Sequence, residues 1–490
     1  MAHMPRTFEP TFASLRTFEA ANWFKDAKFG IWSHWGPQSV PMYGDWYARN
    51  MYIEGSSQYL YHLRRYGHPS VFGYKDLAAT WKAERFDPDA LMALYVKAGA
   101  RYFVAQATHH DHFFNYPSRL NDFNAMQVGP RKNIAGLWQA AARKVGLPFG
   151  LSEHLGASYN WWGVTKGADR QGPFQGIPYD GALHENQRIY HDSPPIELNP
   201  DTWYTHVPRY REYWLACMIE LIDMFQPDLL YTDGALPFGR IQKRTEGTPP
   251  LREQDYKWGL EAVAHLYNTS IARHGENHAV YLQKDHQPDI YQVGVLDIEK
   301  SQLPGIQPVP WNTDTCIGNW FYDVRQPYKQ AQHIVEMLVD IVSKNGSMLL
   351  NILQKPDGSL DDETLHLLEE LADWILVCGE AIYGTRPWKT FREGETEVAI
   401  DHEHFKETAV DWRISDYRFT SKGDTVYAFL MRAPEDRVCV LRSIDQGDPI
   451  RTVRLLGGQA LPFSREQGVL VVRLPERLPA RYVNCLAIER

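Results

Sequence analysis

The sequence is poor in cysteine, has no long apolar run and carries no excess of basic residues. Its five cysteines, Cys217, Cys316, Cys378, Cys439 and Cys485, are scattered over 490 residues. They include neither a CxxC nor a Cys/His spacing that would hold zinc, so free thiols are expected rather than a disulfide framework. No stretch approaches the ~18 consecutive apolar residues of a membrane span, and no membrane partner is expected. A net charge of -9 argues against nucleic acid, whose recognition needs a basic patch. No GxGxxG follows the first apolar run, which counts against dinucleotide binding. The opening Met1-Ala2-His3-Met4 lacks the charged-then-apolar pattern of a signal peptide. Residues 1–9 are read as a tail, partly vector-derived. The compartment stays open: secreted or periplasmic if a signal peptide was removed, cytoplasmic otherwise.

What the chain has in quantity is aromatic surface: 13% of residues, with 16 Trp. Most such rings build cores, but their π faces also suit the C–H faces of sugars. Up to about residue 385, short apolar runs alternate with amphipathic helical stretches. The predicted strands are 29–32, 102–105, 148–151, 228–231, 279–282, 294–296, a weakly marked one near 311–317, and 347–350. Between them, Asp87-Pro88 pairs a capping residue with Pro at a first helical position, and Leu91, Leu94, Tyr95 and Ala98 follow at helical spacing. The stretches 210–225 and 331–344 are similarly periodic, the second ended by Asn345-Gly346. Apolar strands alternating with helices imply a parallel sheet covered by helices. About eight such units fit a (β/α)8 barrel at 10–385. After a helix at 361–378, Tyr383 to Trp388 reads as a linker. The alternating runs 425–430 and 468–472, separated by turn residues, then predict an antiparallel β-sandwich at 386–490.

In such a barrel the site forms at the C-terminal ends of the strands. Those ends read His34-Trp35-Gly36, His109-His110-Asp111, Ser152-Glu153-His154, Thr232-Asp233-Gly234, Gln283-Lys284-Asp285 and Ile298-Glu299-Lys300. His and carboxylates in this position suit a metal-dependent hydrolase or a glycoside hydrolase. Against a metal, no HxH occurs on the first strand, and adjacent His109 and His110 would point to opposite faces of a strand. No metal and no cofactor is expected. Glycoside hydrolysis needs two carboxyl groups and aromatic walls, and both are present. An Asp ending a buried strand is also a common helix cap, and Glu299 beside Lys300 is also an ordinary surface ion pair.

Several ordered motifs resemble glycoside hydrolase family 29, the α-L-fucosidases. They run from Trp23-Phe24-Lys25-Asp26-Ala27-Lys28-Phe29-Gly30-Ile31-Trp32-Ser33-His34-Trp35-Gly36 through Gly44-Asp45-Trp46-Tyr47-Ala48-Arg49-Asn50-Met51-Tyr52 and Thr108-His109-His110-Asp111. Pro227 to Gly234, Trp311 to Trp320 and Ser343 to Ile352 extend the likeness, so that it covers about residues 20–390. The resemblance implies a retaining exo-glycosidase that removes terminal α-L-fucose from a fucosylated oligosaccharide or glycoconjugate. Asp233 matches the nucleophile, and Glu299 falls where many members carry the acid/base. His34, Trp46, His109, His110 and Trp320 match sugar-holding positions, and His154 is assigned with them although Ser152-Glu153-His154-Leu155-Gly156 differs from the commoner Tyr-containing version. The chain departs at Thr232, where an aromatic is usual before the nucleophile, and at Glu299-Lys300-Ser301, where Glu-Arg-Gly is common. Glu153 and Asp285, also at predicted strand ends, are rivals for the acid/base role. The long insertion 159–206 is expected to shape the leaving-group side. A fucose-binding protein without catalysis, or a retaining glycosidase for a related deoxy-sugar, are the alternatives. A homo-oligomer, the linkage preference and a carbohydrate-binding role for the sandwich are left open.

Overall fold

The computed structural model describes residues 7–239, 252–400, 407 and 409–490. Eight strands form one parallel sheet: β1 (Phe29–Ser33), β2 (Tyr102–Gln106), β3 (Phe149–Glu153), β4 (Leu229–Thr232), β5 (Val280–Gln283), β6 (Val295–Leu296), β7 (Trp311–Cys316) and β8 (Gly346–Asn351). Their order is β6-β5-β4-β3-β2-β1-β8-β7. The seam between β6 and β7 is closed just past the short β6. There the Ile298 N–H donates to the Asn312 carbonyl and the Lys300 N–H to the Asp314 carbonyl, both at 2.9 Å. The result is a (β/α)8 barrel, and all the predicted strands, including the weakly marked seventh, lie in it.

Successive side chains on a strand point to opposite faces. Trp32, Tyr102, Val104, Leu229, Tyr231, Val280, Leu282, Val295 and Leu349 form the barrel interior. Their neighbours Ile31, Phe103, Leu151, Leu230, Tyr281, Leu296 and Leu350 pack outward, in the larger cluster shared with the helices. The interior is a packed core rather than a pore, because large rings fill it. Gly30 makes room for one of them: a Cβ there would lie 2.3 Å from Cζ of Tyr102. The short helix Asn22–Ala27 brings Phe24 against Tyr102 below the strands, with ring centroids 6.0 Å apart. Outside, the helix Pro88–Lys97 starts as expected, with Asp87 Oδ1 accepting the Ala90 N–H at 3.0 Å. The helices Pro208–Phe225, Ala331–Ser343 and Asp362–Cys378 occupy the stretches with helical periodicity.

The C-terminal strands are β9 (Arg386–Glu393), β10 (Tyr417–Lys422), β11 (Thr425–Leu430), β12 (Val438–Leu441), β13 (Thr452–Leu455), β14 (Phe463–Glu466), β15 (Val469–Arg473) and β16 (Asn484–Glu489). A five-stranded antiparallel sheet, β13-β16-β11-β10-β9, faces a three-stranded one, β12-β15-β14, over a core that includes Phe419, Leu430, Leu441, Leu470 and Ile488. The linker reading of 383–388 is corrected in its second half. Pro387 pairs with Thr420, and Trp388 is buried in the sandwich core. Proline is tolerated because β9 is an edge strand, where a missing N–H leaves no ladder bond unmade. At the other end, residues 1–6 of the expected tail lie outside the described residues. Phe8 is packed: its N–H and carbonyl both bond the Asn268 side chain at 2.8 Å. All five cysteines are free and buried. Among the described residues no helix is long and apolar enough to cross a membrane.

Candidate active site

The inward register of the barrel continues past the strand ends in steps of two. Gly30 and Trp32 lead to His34, Gly150 and Ser152 to His154, Leu229 and Tyr231 to Asp233, Val280 and Leu282 to Lys284, Val295 and Asp297 to Glu299. Asp314 lies on the same face of β7. Trp32 floors the pocket they surround. Its Nε1–H donates to Ser152 Oγ at 3.2 Å, and its ring lies 5.0 Å from Tyr231 and 5.5 Å from Trp320.

Asp233 is the most contacted acid. Its Oδ1 accepts from Lys284 Nζ at 2.9 Å and from the Tyr231 hydroxyl at 3.2 Å. Its Oδ2 lies 3.2 Å from His110 Nε2 and 3.3 Å from His154 Nδ1. Burial alone would raise this carboxyl, but the Lys284 charge, then His154 and the His110 contact, hold it well below the usual range. These contacts hold it as a carboxylate. Lys284 also reaches Glu299 Oε2 at 2.5 Å and Asp314 Oδ2 at 3.4 Å. Burial opposes its charge, yet Asp233, Asp314 and Glu299 together keep it protonated far above the ordinary lysine range. Asp314 itself is pushed up to about 6, by burial against the pull of Lys284. Glu299 Oε1 accepts from Trp320 Nε1 at 3.1 Å.

His34, His109 and His154 crowd the opposite wall, with ring centroids 5.0 Å (His34–His109) and 4.7 Å (His109–His154) apart. Burial lowers all three below the usual histidine value, so they are neutral rings. His34 Nδ1 is buried without a hydrogen bond, a polar atom that a sugar hydroxyl would satisfy. Gln38 Nε2 holds His109 Nδ1 at 2.7 Å, and His110 Nδ1 donates to the His154 carbonyl at 2.6 Å. Trp46, at a strained φ of 57°, stands beside His110 and stacks toward Trp203 of the insertion, centroids 6.1 Å apart.

One expectation needs correcting. His109 and His110 do not face apart, because β2 ends at Gln106 and both lie in the turn beyond it, their rings 4.7 Å apart. As a consequence His34–His109–His154 and His110–His154–Asp233 each gather ligand atoms within 4.8 Å, a distance that would admit a metal ion. The spacing argument against a metal therefore fails, although Asp233 already has Lys284 as its counter-charge. The departure at Thr232 lies outside the pocket: Thr232 points outward to the Tyr281 hydroxyl (2.6 Å), and the aromatic that contacts Asp233 is Tyr231.

The two rivals for the acid/base stand one residue out of register. Glu153 faces outward, accepting from the Leu155 N–H (2.8 Å) and from Trp214 Nε1 (3.1 Å) on the helix Pro208–Phe225. Burial pushes it up to about 8. Asp285 caps its own turn by accepting the Gln287 N–H at 2.9 Å, and burial raises it to about 6.

The sequence profile of the α-L-fucosidases matches residues 1–380. The chain belongs to the α-L-fucosidase family. Tissue α-L-fucosidases of rat and human are 26% and 27% identical to it, over 98% of this chain and 91% and 90% of theirs. The Thermotoga maritima α-fucosidase, solved with a mechanism-based inhibitor, superposes with a TM-score of 0.74 at 25% identity, over 99% of this chain and 100% of that one. The same enzyme solved with fucose gives 0.72, over 98% and 100%. The chain is thus a glycoside hydrolase of the α-L-fucosidase type. Within this fucosidase pocket the sequence reading did not single out Lys284, Tyr231, Asp314 or Trp203. It also passed over Asp45, whose carboxyl burial raises to about 7 and whose Oδ1 is buried without a hydrogen bond. The inward step of two would have found Tyr231, Lys284 and Asp314. Trp203 and Asp45 belong to loops with no such period.

Proposed function

We propose that the protein is an exo-acting, retaining α-L-fucosidase in which Asp233 is the nucleophile and Glu299 the general acid/base. The observation that carries this reading is their shared cation. With Asp233 Oδ1 and Glu299 Oε2 at 2.9 and 2.5 Å from one Lys284 nitrogen, the two oxygens are at most the sum of these, 5.4 Å, apart. Retaining glycosidases hold their carboxyl groups ~5–5.5 Å apart, whereas inverting ones leave ~6.5–9.5 Å for a water. Asp233 attacks C1 as the glycosidic C1–O bond breaks, and Glu299 gives its proton to the departing oxygen. Water then attacks C1 of the fucosyl ester while Glu299 takes up its proton, and two inversions restore the configuration. His34, His109, His110 and His154 are assigned to the fucose hydroxyls, and Trp46 and Trp320 to its apolar faces. The fucose carried by the Thermotoga relative supports that assignment.

The test is replacement of Asp233 by Gly. Hydrolysis of 4-nitrophenyl α-L-fucoside should vanish, and azide should restore turnover with fucosyl azide of inverted configuration as the product. Near-normal hydrolysis by the variant would refute the assignment. Absence of hydrolysis in the parent protein would leave a fucose-binding protein instead.

A further inference from the structure

A single ammonium stands between the two carboxyl groups, and the reaction changes the charge of one of them halfway through. Lys284 projects from the end of β5 and is largely buried, its side chain 12% exposed. It meets Asp233 from β4 at 2.9 Å, Glu299 from beyond β6 at 2.5 Å and Asp314 from β7 at 3.4 Å. Its Nζ also lies 5.5 Å over the Tyr231 ring. His110 and His154 approach it through Asp233. Behind Asp314 stands the buried Asp297, whose Oδ1 accepts from Asn312 Nδ2 at 2.5 Å. Burial and the nearby Asp314 hold Asp297 well above the usual carboxylate range, so neither is a full competing charge at acid pH.

Resting on the retaining reading above, we propose that Lys284 is a positioning residue that is handed over from Asp233 to Glu299 between the two half-reactions, and that this exchange turns Glu299 from acid into base. In the free enzyme the ammonium is divided between two carboxyl groups, and the Asp233 charge opposes a second charge on Glu299 beside it. Glu299 can then hold the proton that the leaving oxygen needs. When Asp233 Oδ forms its bond to C1 and the glycosidic bond breaks, that carboxylate becomes a neutral ester. Lys284 loses its Asp233 ion pair and retains Glu299, now deprotonated, 2.5 Å away. The positive charge, no longer shared with Asp233, favours the carboxylate form, which is the form that must take a proton from the attacking water. When water oxygen bonds C1 and the ester C1–O bond breaks, Asp233 regains its charge and its share of the ammonium. A like-charged neighbour disfavours ionisation and an opposite charge favours it, so both directions of the switch follow from one fixed group.

The second half-reaction can be isolated. A 2-deoxy-2-fluoro-fucosyl fluoride forms the ester slowly, excess reagent is removed, and recovery of activity is followed against pH. In Lys284→Gln the acid limb of that recovery should move upward by about one pH unit. At pH values well below both limbs recovery then falls about tenfold more than on the plateau, since there one pH unit is a tenfold change in the ionised fraction. Lys284→Arg should keep the limb near its parental place. The pair Lys284→Gln with Asp314→Asn keeps the buried charge in balance and carries the same test if the single variant melts too low. An unmoved limb in either folded variant, failure of the folded variant to form the ester, or an equal shift in Lys284→Arg overturns the hand-over. Azide rescue of Asp233→Gly is measured alongside. If rescue succeeds while the limb stays put, only the hand-over fails; if rescue fails, the retaining reading fails with it.

Discussion

Glu299 and Asp233 are both carboxyl groups at strand ends, and their neighbours separate the roles proposed for them. Asp233 has Lys284, Tyr231, His110 and His154 about it and is held ionised, as the nucleophile role proposed for it requires. Glu299 has one hydrogen bond from Trp320 and one ion pair with Lys284. A general acid contributes ~10²–10⁴-fold, and most where the leaving group is poor. Glu299→Gln should therefore slow release of fucose from an oligosaccharide by about that factor, and fucosylation by the 4-nitrophenyl fucoside far less. Stopped-flow release of nitrophenolate should show a burst before slow turnover. Equal slowing of both substrates would assign the role to another carboxyl. The histidine wall makes a second prediction. Its ligand atoms are close enough for a metal, but Lys284 supplies the positive charge beside Asp233. Dialysis against EDTA should leave the rate unchanged, and a loss restored by zinc or manganese would show that a metal belongs there.

At the scale of elements, the barrel is held by what alternates along each strand. Gly30 and Tyr102 face one another across β1 and β2, the glycine giving up its side-chain volume to the ring. Gly30→Ala should cost about 1–3 kcal/mol through overpacking, read as a lower midpoint of thermal unfolding. Adding Tyr102→Leu should recover part of it, since two residues in contact do not act additively. The strands themselves were legible from their apolar runs, and the helices from their period and caps. The turn after β2 was not, because no residue between Thr108 and Asp111 announces that the strand has stopped. For that reason His109 and His110 were expected to diverge and instead share one pocket. Pro387, within the segment read as a linker, likewise sits in an edge strand, where it does no harm.

For the whole molecule, the sandwich is fastened to the barrel by apolar packing, with Tyr427, Phe429, Met431 and Val483 in the same buried cluster as the barrel's helices, and by one buried charge cluster. Arg418 of β10, almost wholly buried, bonds Asp340 of the helix Ala331–Ser343, and Lys344 Nζ holds the same carboxylate at 2.6 Å. Burial would raise Asp340, but Arg418 and then Lys344 outweigh it and depress it below the ordinary value. Removing one partner of a buried pair costs ~3–5 kcal/mol, and Arg418→Met should fall near the lower end because Lys344 remains. A depressed carboxyl contributes stability above its unfolded value of ~3.9 and loses it as pH falls through the folded one. The gap in unfolding midpoint between parent and variant should thus be full near neutrality and shrink below about pH 4. A gap independent of pH would mean that lost packing, not charge, is the cause. By itself the sequence determined the alternation of strands and helices, the barrel and sandwich, and the family, since local periodicity and ordered motifs are written along the chain. The phase of each strand was not written there. Parallel strands buried on both faces are apolar throughout, so Glu153 and Asp233 look alike as strand-end acids. Only the closed barrel decides that Asp233 follows Tyr231 inward while Glu153 follows Leu151 outward, and only there do Asp233 and Glu299 come to share the single charge of Lys284.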